Sequence, residues 1–289
     1  MKSLKEIIAE SAIKETAVGH FNISELTALK AIFESARELN LPVIIGTSEG
    51  ERKFIGLKQA VSLVKSIREE YDYPIFLNAD HTHSLEKVRE AAEAGYDAIL
   101  FDGGKLPFEE NVRQTKAAVE IAKSVNPSAL IEGEIGYIGS SSEVQKKIPA
   151  GAALNPEELT SPQQAKEFIE ETGVDFLAPA VGNIHGIIVQ AGFTERLDIE
   201  RIKSIKGASG ISLVLHGGSG LDSEDFRKAI KAGINIVHIS TEIRQAWRIG
   251  LEAGLKNNPE EIAPYKIYPP AIEEMKKVII GRLRVFSNL

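Results

Sequence analysis

The chain has 289 residues, a formal net charge of −7, 43% hydrophobic residues and no cysteine. That length and apolar content suffice for one large core, the lack of cysteine removes disulfides and thiolate metal sites, and an acidic balance without a Lys/Arg run argues against nucleic acid as a partner. No stretch is long and apolar enough to span a membrane, and residues 1–11 read as an amphipathic helix containing glutamate rather than a signal peptide, so the expectation is a cytoplasmic protein with no membrane partner.

Taken in order, Lys2 to Ser11 reads as a helix, and Thr16 to Phe21 as a first apolar strand ending at Asn22. A helix opens at Ser24, with Leu26, Leu29, Ile32 and Phe33 at helical spacing. Leu41 to Ile45 is a second strand and Gln59 to Glu70 a helix. Tyr73 to Leu77 is short, apolar and Pro-started, with Pro74 at its head, so it reads as a buried third strand running into Asp80, His81 and His83. Ser84 caps the next helix, Leu85 to Ala94, which Gly95 closes. Asp97 to Phe101 is a fourth strand, Phe108 to Ser124 a long helix, and Ala129 to Ile135 a fifth strand carrying Glu132 and Glu134. A polar loop, Gly139 to Pro156, reads as a mobile lid. After a helix at Ser161 to Glu171 come strands at Asp175 to Val181, Ile211 to Leu215 and Ile234 to Ile239, with helices at Ile199 to Ile205 and Ser223 to Ala232 between them. Helices at Glu242 to Lys256 and Ala271 to Arg284 finish the chain.

Strict alternation of buried strands and helices implies a parallel sheet with helical crossovers. Eight such units at this length predict one (β/α)8 TIM barrel spanning residues 1–289, with extra helices at the N- and C-terminal ends. In that fold the polar residues past each strand converge on one rim: Asn22, Ser48, Asp80 with His81, Asp102, Glu132 with Glu134, His185, His216, and Ser240 with Thr241.

Six histidines occur, and four of them, His81, His83, His185 and His216, fall just past strands. Three imidazoles with an open fourth position are a catalytic zinc set, with Zn–N about 2.0–2.1 Å, and His81, His185 and His216 are the candidates. Gly186, Gly217 and Gly218, followed by Ser219, place backbone N–H groups beside that metal as an anion nest. Ser240 and Thr241 open the last barrel helix, where phosphate suits the N-terminus. A metal that polarises a carbonyl beside a carboxyl that moves a proton is the apparatus for hydroxy-carbonyl cleavage. Asp80 is either that carboxyl or a structural partner orienting a histidine.

The motifs Gly19-His20-Phe21-Asn22, Gly46-Thr47-Ser48, Ala79-Asp80-His81, Phe101-Asp102-Gly103, Glu132-Gly133-Glu134-Ile135-Gly136, Gly182-Asn183-Ile184-His185-Gly186 and Leu213 through Gly220 run over nearly the whole chain. In this it resembles the class II, metal-dependent fructose-bisphosphate and tagatose-bisphosphate aldolases. The resemblance implies Asp80 as proton donor and acceptor, and His81, His185 and His216 on a catalytic zinc. It implies Asp102 and Glu134 at a second or alternative divalent position. Gly186, Gly217, Gly218, Ser219, His238, Ser240 and Thr241 would form the dihydroxyacetone-phosphate site, lined also by Asn22 and Ser48. A catalytic acid of the lid falls at Ser142, with Glu143 one step away. The implied partner is a sugar phosphate, and the implied assembly a homodimer or homotetramer.

The chain departs from the family pattern at several points. Thr82-His83 replaces a glycine after Asp-His, Val189 and Ile236 stand where lysines are usual, and His238 stands where asparagine is usual. A charged His238 would partly replace the missing cations. Two other readings use the same barrel: a metal-dependent hydrolase, with His81 and His83 as a ligand pair on one strand face, and a non-catalytic sugar-phosphate-binding homologue.

Overall fold

The computed structural model describes residues 2–289. The chain begins with α1 (Leu4–Ile13), then alternates β1 (Val18–Asn22), α2 (Leu26–Leu39), β2 (Val43–Thr47), α3 (Glu49–Ile55), α4 (Leu57–Tyr71), β3 (Ile75–Thr82), α5 (Leu85–Ala94), β4 (Ala98–Phe101), α6 (Phe108–Val125) and β5 (Leu130–Ile135). It continues through β6 (Val144–Gln145), α7 (Pro162–Thr172), β7 (Phe176–Pro179), β8 (Ile187–Ile188), α8 (Ile199–Ser209), β9 (Ser212–Leu215), α9 (Ser223–Ala232) and β10 (Ile234–Ile239), and ends with α10 (Thr241–Asn257), α11 (Pro264–Ile267) and α12 (Pro269–Phe286). Eight strands close into a parallel barrel in the order β1-β10-β9-β7-β5-β4-β3-β2.

The expected elements are present, with three additions. α3 occupies the stretch after β2 that carried no helical period, since a seven-residue helix shows less than two full turns. α11 is a single short turn. The expected lid is tied down within the Gly139–Pro156 region: β6 pairs with β8 as a separate parallel ladder, Val144 opposite Ile187 and Gln145 opposite Ile188. Two-residue strands leave no periodic signal to read.

Period-2 alternation sorts the barrel interior into layers. Val18, Ile44, Phe76, Leu130, Phe176, Val214 and Ile236 form an apolar floor, closed from below by Leu4, Ile7 and Ile8 of α1. The N-terminal helix is therefore the plug of the barrel. Two residues further along the strands the interior turns polar, with His20, Asn78, Glu132, His216 and His238 all buried. The outer faces of the strands carry the larger apolar core, including Phe21, Ile45, Leu77, Ile99, Ile131, Leu177, Leu215 and Val237. α12 buries Met275, Ile279 and Leu283 and packs against α2 and α10, completing the outer ring. Gly46 makes the polar layer possible: a Cβ there would lie 2.1 Å from His20 Cε1. Among the described residues no helix is long and apolar enough to cross a membrane.

Candidate active site

At the C-terminal mouth of the barrel, one narrow pocket gathers Asp80 and His81 from β3, His185 and Gly186 from the loop after β7, His216, Gly217, Gly218 and Ser219 after β9, and His238, Ser240 and Thr241 at the end of β10, with Asn22 and Ser142 completing it. No lysine or arginine lines it. The His81, His185 and His216 rings stand nearly edge to face, with centroids 4.8, 5.0 and 5.6 Å apart, and ligand atoms of the three lie within 4.8 Å of one another.

Each of these imidazoles has one nitrogen engaged from behind. His81 Nδ1–H donates to Asp102 Oδ2 at 2.8 Å, His185 Nδ1–H to the Gly139 carbonyl at 2.8 Å, and His216 Nε2–H to Glu132 Oε1 at 2.8 Å. The nitrogens left over are Nε2 of His81, Nε2 of His185 and Nδ1 of His216, the last buried without a partner. Fixing one nitrogen of each imidazole fixes the tautomer and aims the other lone pair. An orphaned buried imidazole nitrogen is costly unless something binds it. The donor set thus fits a divalent cation held by three imidazoles.

Asp80 and His81 are consecutive, and a regular strand would send them to opposite faces. The backbone resolves this locally. β3 sets the three steps from Ala79 to Thr82 against two on β4, Ile99 to Phe101, so it carries one extra residue. His81 sits in the left-handed region at φ 40°, which costs a residue other than glycine about 1–2 kcal/mol. Both side chains then face the pocket, with His81 Nε2 3.8 Å from Asp80 Oδ1. The same bulge separates His83 from the pocket: its side chain is 56% exposed, and its nearest carboxylate is Asp102, 3.7 Å away. A His81/His83 ligand pair, which the hydrolase reading requires, does not form.

The Asp80 carboxyl is buried, which would raise its pKa, but the charge on His81 and the imidazoles of His238 and His20 hold it well below the usual range. Its Oδ2 accepts from Asn22 Nδ2 at 2.9 Å, and the same amide donates to Glu51 Oε2 at 2.9 Å. Burial works against charge on His81, yet Asp80, the bond to Asp102, and Glu134 push its pKa up to about 10. Burial and the neighbouring imidazoles of His81 and His216 push His185 down to about 3. Glu134 is raised well above the carboxylate range by burial and by Asp102. Its Oε2 lies 3.9 Å from His81 Nδ1, so Asp102 and Glu134 stand behind His81, on the far side from the other two histidines' free nitrogens. His81 Nδ1, Asp102 and Glu134 form a second group close enough to hold an ion, but Nδ1 can serve either Asp102 or a cation there.

His238 departs from expectation. It lies between His20, stacked at 3.4 Å with the planes 2° apart, and His216, 3.9 Å away. Burial and those two rings drive its pKa well below the usual imidazole value, so it is neutral and cannot stand in for a lysine. Ile236 lies one layer lower, in the apolar floor, and Val189 is 57% exposed beyond β8. Two other expected residues stand outside the pocket. Ser48 is the N-cap of α3 and its N–H donates to Glu51 Oε2 at 2.8 Å. Glu143 is exposed, with its backbone carbonyl bonded to Ile187, and Ser142 is the loop residue that reaches the pocket.

The glycines pack the rim closely. Gly217 has φ 64°, and a Cβ there would sit 2.3 Å from the Ile184 carbonyl. Asn183 ties the same two loops, donating to the His216 carbonyl and accepting from Val181 N–H, both at 2.9 Å. Ser219 Oγ accepts from Ser240 N–H and Glu242 N–H at 3.3 and 3.4 Å, which joins the glycine turn to the start of α10. His20, Glu51, Glu132 and Asn183 were not assigned roles from sequence. His20 and Asn183 lay inside the motifs shared with the family, and Glu132 carried a further signal, its spacing of two from Glu134, which on a strand gives both the same face.

The whole chain compares with known proteins in the same sense. The family model for Fructose-bisphosphate aldolase class-II matches residues 2–288. The chain is 34% identical to a fructose-bisphosphate aldolase of Geobacillus stearothermophilus, over 99% of this chain and 96% of that one, and 33% identical to a probable fructose-bisphosphate aldolase of Bacillus subtilis, over 99% and 97%. Among solved structures it is similar to the YdjI aldolase from Escherichia coli K12, with TM-score 0.82 and 27% identity over 98% of this chain and 96% of that one. With barrel, site and full-length similarity in agreement, the chain belongs to the class-II fructose-bisphosphate aldolase family, whose members are metal-dependent lyases.

Proposed function

We propose that the protein is a zinc-dependent ketose-phosphate aldolase that reversibly cleaves fructose 1,6-bisphosphate, or a close ketose phosphate, to dihydroxyacetone phosphate and an aldehyde. The observation that carries this is the trio of imidazoles, each backed by its own acceptor, beside a carboxylate in its base form. His81 Nε2, His185 Nε2 and His216 Nδ1 would hold one Zn²⁺, and a cation there polarises the ketose carbonyl and takes up the charge left when the carbon–carbon bond breaks. Asp80 removes the proton from the hydroxyl on the carbon being released, and returns it in the condensation direction. Asn22 keeps the Asp80 carboxylate turned toward that hydroxyl. The N–H groups of Gly217, Gly218 and Ser219, with Gly186 and the first turn of α10 at Ser240 and Thr241, receive the phosphate by backbone donors and helix dipole rather than by a lysine. His238 lines that end as a neutral imidazole. Asp102 and Glu134 would form a second divalent position with His81 Nδ1, in place of the hydrogen bond that now joins Nδ1 to Asp102. Glu143 can serve as an acid only when the Gly139–Pro156 loop carries it inward. We assign a single barrel domain, a cytoplasmic setting and a homodimer or homotetramer on the family's pattern.

The test is metal analysis joined to a retro-aldol assay on fructose-, tagatose- and sorbose-type phosphates. Cleavage that EDTA abolishes and Zn²⁺ or Co²⁺ restores is the expected result. Tight binding of the phosphosugars with no turnover in the metal-loaded protein would instead identify a sugar-phosphate-binding homologue.

A further inference from the structure

The short helix α3 carries a buried arginine that nothing in the reaction uses. Arg52 is 5% exposed, and none of its side-chain hydrogen bonds goes to a carboxylate. Its guanidinium instead collects backbone and hydroxyl oxygens at the top of two strands. Nη1 donates to the Thr47 carbonyl at the end of β2 and to the Asp80 carbonyl at 2.9 Å, and Nη2 donates to Thr82 Oγ1 at 3.1 Å. Those acceptors bracket His81. The Asp80 carbonyl lies in the β2-facing phase of β3, the phase in which the Pro74 carbonyl accepts from Val43 N–H, but β2 ends at Thr47 and the bulge begins here, so no strand N–H stands opposite it. A freed carbonyl in this buried setting needs a donor. The neighbouring Glu49 makes a matching bond from the same helix, accepting from His83 N–H at 2.9 Å.

We propose that Arg52 is the positioning residue that holds the β3 bulge, and so keeps the consecutive Asp80 and His81 side chains facing one pocket. The inference rests on the proposed roles of Asp80 and His81, but its first readout does not involve turnover. Arg52→Lys keeps a buried cation, while one ammonium cannot span three acceptors arranged for a planar fork. Binding of Co²⁺ to the metal-free protein, followed by its visible absorption, reports the three-imidazole site directly. Arg52→Lys should weaken Co²⁺ binding by about tenfold or more and alter the absorption bands. kcat should fall by a similar factor while KM stays within about threefold, since the phosphate-binding rim is not touched. Co²⁺ affinity, spectrum and kcat all within about twofold of wild type in a folded Arg52→Lys protein would overturn the proposal. If Arg52→Lys does not fold, Thr82→Val decides: it removes one of the three acceptors, and unchanged Co²⁺ affinity there overturns the proposal equally. Wild-type protein that binds Co²⁺ yet cleaves no ketose phosphate would defeat the aldolase reading and leave the role of Arg52 to the affinity measurement.

Discussion

Replacing Glu132 tests the proposed metal centre from behind. Its Oε1 accepts from His216 Nε2–H at 2.8 Å, and both side chains are buried, at 2% and 1% exposure. When a cation draws electron density from Nδ1, the imidazole becomes more acidic at Nε2, and a carboxylate there stabilises the polarised ring. Glu132→Gln retains an oxygen that can accept the bond but removes the charge. Loss of such a partner lowers metal affinity by about 10–100-fold, which is about 1.4–2.7 kcal/mol. The fold should hardly notice, because the hydrogen bond survives. Glu132→Ala goes further and leaves Nε2–H buried without an acceptor, costing about 1–3 kcal/mol of stability, or roughly 2–6 °C in Tm at about 2 °C per kcal/mol for a chain of this size. Competition against a chelator gives the affinities, and calorimetry of the metal-free proteins gives the stabilities. Zn²⁺ binding as tight in Glu132→Gln as in wild type would show that the Glu132 carboxylate does not tune His216, and the outer set of acceptors would lose its assigned purpose.

Three other outcomes follow from the same geometry. Asp80→Asn should keep about one metal per chain, because Asp80 is not among the three imidazoles proposed as ligands, while kcat drops by about 10²–10⁴; retained turnover, measured with metal content, would remove Asp80 from proton transfer. Gly46→Ala drives a Cβ to 2.1 Å from His20 Cε1, and such overpacking costs about 1–3 kcal/mol, checked by urea denaturation. Without metal, stability should peak near pH 6.5. His20 and His185 have folded pKa values lowered to about 4 and about 3, so on acidification below 6.5 the unfolded chain takes up protons that the folded chain refuses, and stability falls. His81 has its pKa raised to about 10, so its contribution is complete below 6.5 and is lost as pH rises toward 10. Thermal melts of the metal-free protein between pH 5 and 9 should decline on both sides, and a Tm rising steadily from pH 6.5 to 9 would contradict the assignment for His81.

The eightfold strand–helix alternation was legible from residue order because burial imposes a period of two on strands and 3.6 on helices, and each leaves its mark along the chain. The same logic located Asp80, His185 and His216 near strand ends, and the glycine turns beside them. What the linear order could not contain was anything set by pairs of distant residues. Whether His81 or His83 faces the pocket depends on one extra residue in β3 measured against β4, and strand period alone favours neither. The acceptors behind the histidines come from 21, 46 and 84 positions away. The charge state expected of His238 was reversed because two further rings, His20 and His216, enclose it, and only closure of β10 against β1 and β9 brings them there. Sequence by itself determined the barrel and the residue types at its mouth, because those follow from local burial. Tertiary structure alone decided which nitrogen of each histidine is free and which groups are charged, because those depend on neighbours that only the closed barrel supplies.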